Sequence, residues 1–155
     1  GGDMVDKVTF AKTTYAPLPL KFEAGTSNFI GAIGLAEAIK FLQSLPAEEV
    51  EKHEKELLDY ATTELQKIEG LRIYGTTADK TSIISFNVEG CDHYDIGMIL
   101  DKQGVAVRTG HHCAEPVMAR YGTNGVVRAS IALYTNKDDI DALVRGVKRA
   151  VTMLK

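Results

Sequence analysis

Several things are scarce in this 155-residue chain. It has two cysteines, Cys91 and Cys113, too few for the disulfide framework of a small secreted domain. No run of Lys and Arg occurs, the net charge is −3 and the pI about 5.8, so the sequence points to no nucleic-acid partner. No apolar stretch reaches the ~18 residues needed to span a bilayer, and no charged-then-apolar leader opens the chain. Repeats and low-complexity segments are absent too. These absences direct the reading to a cytoplasmic protein with reduced thiols and no membrane partner. With 45% hydrophobic and 25% charged residues, the length suits one globular domain with a sizeable core.

Residues 1–28 carry scattered Gly, Thr and Pro with weak periodicity. Structureless segments of that length are uncommon inside a compact domain. The sequence therefore reads as a piece of something longer, with residues 1–28 as a linker expected to be partly disordered and 29–155 as the folded domain.

Helical spacing of apolar residues predicts helices over 28–45, ended by Pro46, and over 47–70, ended by Gly70. Alternation predicts strands over 71–75, 81–90, 105–110 and 126–134. Further helices are expected over 92–104, 114–122 and 136–154, the last capped by Asn136. Two helices followed by closely spaced strands predict an α+β fold, a small, mostly antiparallel sheet covered by helices.

The chemistry concentrates in RTGHHCAEP, residues 108–116. A thiol is activated by nearby cations or a helix N-terminus. Cys113 follows Arg108, His111 and His112 on a turn eased by Gly110, with Pro116 fitting the first turn of a helix. The competing reading is a small buried hydrophobe, the usual fate of a free cysteine. A third is a metal-binding or sulfur-carrier module built on His111, His112 and Cys113, although adjacent ligands diverge and zinc sites usually space theirs by two to four residues. Cys91, among acidic residues, reads as structural or exposed. His93 reads as a helix-start residue, and His53 as part of a solvated helix face. Arg128, within the apolar VVRASIALY, needs an anionic partner, either a structural carboxylate or a substrate carboxylate.

RTGHHCAEPVMARYG followed by VVRASIALY resembles the C-terminal end of SUF-type (class II) cysteine desulfurases, a family grouped with selenocysteine lyases. The likeness extends over the whole chain, including the N-terminal run through EAGTSN. It departs at YTN, 134–136, where the family reads YNT, beside the cap of the last helix.

The resemblance implies the small domain of a fold-type I pyridoxal-phosphate (PLP) enzyme that works as a homodimer. Such enzymes convert L-cysteine to L-alanine and pass the sulfur to an acceptor protein for iron–sulfur cluster assembly; selenocysteine is the other candidate substrate. On this reading Cys113 is the sulfur-accepting nucleophile and Arg128 binds the substrate carboxylate. Arg108 and His112 stand near the nucleophile, and Thr26 reaches the partner's cofactor phosphate. No metal is implied. None of the lysines here has the S-x-H-K setting of the family's cofactor anchor, so the chain is expected to be a C-terminal piece, inactive alone.

Overall fold

A computed structural model describes residues 2–155. The chain divides into two compact units, Gly1–Pro46 and Ala47–Lys155. The division falls at the Pro46 junction. Proline has no N–H and holds the residue before it out of the helical region; Leu45 is extended (φ −81°, ψ 143°).

In the first unit, β1 (Val5–Val8) and β2 (Thr13–Tyr15) form an antiparallel hairpin with a bulge between Val5 and Lys7. Its turn is tied by Thr9 N to Lys12 O (3.0 Å) and Lys12 N to Thr9 Oγ1 (3.0 Å). β-Branched residues on both sides of a self-bonding turn thus give a hairpin where a partly disordered linker was expected. Helix α1 (Phe29–Ser44) is capped by Asn28, whose Oδ1 accepts from Gly31 N at 3.0 Å.

In the second unit, α2 (Ala47–Gln66) starts with Glu48 and Glu49, as the helix dipole favours, and buries Leu57, Leu58, Ala61 and Leu65. β3 (Leu71–Tyr74) and β4 (Ile83–Val88) follow, then α3 (His93–Asp101), whose cap Asp92 accepts from Tyr94 N at 2.8 Å. After β5 (Arg108–Gly110), α4 (Glu115–Tyr121) and β6 (Val126–Ser130) comes α5 (Lys137–Leu154). Asn136 and Asp139 form a reciprocal capping box on α5, so the YTN departure leaves that cap whole.

The sheet runs β3–β4–β6–β5 and every pair is antiparallel, the α+β arrangement that the patterning predicts. Ile84, Phe86 and Val88 on β4, with Val127 and Ala129 on β6, pack against α2, α3 and α5 to make the core. Gly146 permits close approach of α3 and α5: a Cβ there would lie 2.5 Å from Leu100 Cδ2.

All four strands of this sheet are shorter than the alternation suggests. β6 ends at Ser130: Ile131 N still keeps the register by donating to Ser82 O (2.8 Å), and the chain then turns, with Thr135 N closing on Ala132 O (2.8 Å). Val105 and Val107 pack on the core without joining the ladder. The consequence for function is the other sheet face. Helices cover one side, while Tyr74, Ser85, Asn87, Arg108 and Arg128 lie on the opposite one, set there by strand alternation and register.

Candidate active site

Strand register brings two arginines together. Arg108 on β5 and Arg128 on β6 are direct cross-strand partners, and Ser85 on β4 faces Arg128 from the other side. Partners in an antiparallel ladder project from the same face with Cβ atoms ~5 Å apart, and like charges so placed destabilise the sheet. Among the described residues neither arginine forms a salt bridge with an acidic side chain. Arg128 Nε is buried and has no hydrogen-bond partner. A structural ion pair, one of the two readings of Arg128, is therefore not made. Two unneutralised guanidinium groups side by side form a receptor for an anion, and a carboxylate matches their fork geometry.

The same strand delivers the thiol. Gly110 ends β5 with φ +112°, and the next turn holds His112 (φ +54°) and Cys113 (φ +59°) in the left-handed region. Two consecutive non-glycine residues there cost ~1–3 kcal/mol each and persist only when their surroundings impose them. Cys113 N donates to His111 Nδ1 at 3.3 Å and Ala114 N to His111 O at 2.9 Å, closing the turn. The result is an exposed Cys113, rather than the buried hydrophobe that was the competing reading.

His112 is half-buried, with both ring nitrogens shielded and unpartnered. Burial first, then the Arg128 guanidinium, holds its pKa below the ordinary imidazole value; Arg108 and His111 add to this, while the Val126 backbone pulls the other way. Burial and the neighbouring cation both disfavour the imidazolium form of His112. His111 faces Glu115 at 3.9 Å in the open.

His111, His112 and Cys113 do not converge on a point. Among the described residues no three His, Cys, Asp or Glu side chains are grouped to hold a metal, and His111 Nδ1 is already engaged by the Cys113 N–H. Thr26 is exposed and belongs to the first unit. No single described helix is long and apolar enough to cross a membrane.

Other side chains near the loop escaped the sequence reading. Asn87, a residue depleted in strands, donates through Nδ2 to Gly125 O (2.8 Å) and Thr123 Oγ1 (3.0 Å). His93, 8% exposed, is a buried helix-start residue. His53 is not on a solvated face: its Nε2 meets Thr135 O at 2.8 Å, a contact 82 residues away in sequence that helical spacing does not reveal. Cys91 is half-buried against the core.

A family model for aminotransferase class V matches residues 1–143. The chain belongs to the aminotransferase class-V family. Within it, the chain is 44% identical over 149 residues to a probable cysteine desulfurase of Halalkalibacterium halodurans, covering 96% of this chain and 36% of that protein. It is 41% identical to a cysteine desulfurase of Synechococcus elongatus, covering 98% of this chain and 24% of the relative. The crystal structure of the cysteine desulfurase CsdA from Escherichia coli superposes with a TM-score of 0.86 at 37% identity, covering 100% of this chain and 39% of that one. The apo cysteine desulfurase of Thermococcus onnurineus gives 0.84 at 34% identity, over 99% and 39%. The chain thus spans well under half the length of the class-V relatives it matches, and its fold is that of the corresponding part of fold-type I PLP enzymes.

Proposed function

We propose that this chain is the C-terminal, nucleophile-bearing part of a PLP-dependent cysteine desulfurase, which converts L-cysteine to L-alanine and passes the sulfur to an acceptor protein for iron–sulfur cluster assembly. One observation carries the reading. An exposed thiol on a strained turn stands at the end of a ladder whose two arginines have no acidic ion-pair partner among the described residues. The names of the class-V relatives support it.

The residues fit the substrate-facing half of a PLP site. Arg128 and Arg108 receive the substrate carboxylate, which completes the arginine pair. His112 accepts the thiol proton. The Cys113 thiolate then attacks the substrate sulfur: an S–S bond forms as the substrate C–S bond breaks, and the electron pair stays with the carbon skeleton, which gains a proton to become alanine. When bound, PLP supplies the electron withdrawal that stabilises this carbon. Cys113 is left as a persulfide, and its exposure lets an acceptor thiol take the outer sulfur.

Thr26 is assigned to the cofactor phosphate of a partner subunit, which makes the working enzyme a homodimer, and the compartment is the cytoplasm. The anchoring lysine is assigned to the remaining part of the longer protein. L-Cysteine is the substrate chosen here, although selenocysteine presents the same carboxylate to the arginines.

The test is alanine formation from L-cysteine by the full-length protein loaded with PLP, by its C113S variant and by this chain alone. Activity is expected only in the first. Alanine formation by this chain alone would overturn the division of labour, and persulfide formation in C113S the choice of nucleophile.

A further inference from the structure

Resting on the desulfurase reading above, we infer that Asn87 is a positioning residue that sets the reach of Cys113 by clamping the neck of its loop. Cys113 lies on the 15-residue excursion, 111–125, between β5 and β6. Gly110 and Val126 are ladder partners at its base, so the neck of the loop is formed by Gly110 on one side and Gly125 on the other.

Gly125 is held from two directions. A Cβ on it would lie 3.0 Å from Gly110 C and 2.4 Å from His93 Nε2, so the two glycine backbones are in direct contact with the imidazole edge closing behind them. On the other side Gly125 O accepts two hydrogen bonds, from Asn87 Nδ2 (2.8 Å) and from Thr123 Oγ1 (2.7 Å). The Thr123 hydroxyl in turn accepts from the same Asn87 amide (3.0 Å). A single side chain on β4 thereby fixes both the return leg of the loop and the neck. A Cβ on Gly110 would come 3.2 Å from Tyr94 OH, which bounds that side.

At the strained turn itself the bonds are local to its own residues, Cys113 N to His111 Nδ1 and Ala114 N to His111 O. Such strain needs outside support, and the neck supplies it. Both acceptors of Asn87 need an N–H donor. An aspartate of the same shape offers none when ionised and sets a charge against the Gly125 carbonyl.

Arg128 is held separately, by its own ladder bonds to β4 and β5. The clamp should therefore govern the sulfur transfer step and leave carboxylate capture alone. This separates a positioning role from a general loss of stability, which would lower both.

The experiment is steady-state kinetics of the full-length, PLP-loaded enzyme with N87D and the milder T123V, together with Cys113 persulfide formed in a single turnover, read by mass spectrometry. N87D should lower kcat and the single-turnover rate at least tenfold. T123V should lower them about threefold, because it removes the hydroxyl's bonds to Gly125 and Asn87 but leaves the direct Asn87–Gly125 bond in place. KM for L-cysteine should stay within twofold in both. Unchanged kcat in both variants, or KM and kcat shifting together, would overturn the inference while leaving the desulfurase reading intact. A wild-type enzyme that makes no alanine from L-cysteine would refute that reading and this inference with it.

Discussion

Arg128→Leu should make the protein more stable and less active. The guanidinium stands directly opposite Arg108, a like-charge arrangement worth ~0.2–1 kcal/mol of destabilisation across a sheet. Its Nε is buried without a partner, which costs ~1–3 kcal/mol. Leucine removes both penalties and keeps aliphatic contact at a half-buried position. A net gain of about 1–2 kcal/mol follows, a rise in Tm of roughly 3–8 °C for a unit of this size. The catalytic effect has the opposite sign. Losing two charge-assisted hydrogen bonds to the substrate carboxylate, at about 1.5–3 kcal/mol each, lowers kcat/KM by about 10²–10⁴-fold. Thermal and urea unfolding measure the first effect and alanine formation by the full-length enzyme the second. Acetate should raise the wild-type Tm and leave that of the variant unchanged. A variant destabilised by more than ~1 kcal/mol would refute the reasoning, because it would mean that Arg128 has a structural anion after all.

The remaining predictions concern the histidine, the thiols and the core. His112 has a lowered folded-state pKa, so between that value and the unfolded ~6.5 the unfolded chain binds more protons. Its contribution to stability is complete above ~6.5 and is lost as pH falls toward the folded-state value; H112Q should flatten that part of the stability–pH curve, and an unchanged slope would place the proton uptake elsewhere. Iodoacetamide should label exposed Cys113 before half-buried Cys91, with no protection by one equivalent of zinc; strong protection, read by peptide mass spectrometry, would restore the metal module. Phe86→Ala empties a fully buried position on β4 and should cost about 3–5 kcal/mol in urea unfolding; a loss below ~1 kcal/mol would mean that the sheet is not backed by the helices as described.

The parts of the molecule that were legible in the sequence are those governed by short-range rules. The alternation of Ile84, Phe86 and Val88, the helical stripe of α2 and the Asn136 cap each follow from neighbours within a few residues, and the structure has them in place. Cys113 and Arg128 were legible for a related reason, since each violates its local surroundings. What was hidden depends on register. Nothing in VAVRTG or VVRASIALY says that Arg108 and Arg128 face each other, and this pairing converts two isolated cations into one anion receptor. Asn87 and Thr123 are 36 residues apart, and His53 meets a carbonyl beyond β6. The periodicity of α1 says that it is a helix but not which unit it joins.

Several departures from local preference in the second unit cluster in one short region. Left-handed His112 and Cys113, the like-charge pair and the unpartnered nitrogens of His112 and Arg128 lie between residues 108 and 128. The helix-backed face of the same sheet keeps to apolar alternation and dense packing. A sequence selected only for stability would place a carboxylate beside Arg128 and glycine at 112 and 113. Either change would spoil a desulfurase, the first by occupying the carboxylate site from within and the second by deleting the thiol and its base. Rigid support on one face therefore stabilises unsatisfied chemistry on the other, as expected where local rules are broken for function. This also explains why replacing Arg128 should stabilise the second unit and lower activity at the same time.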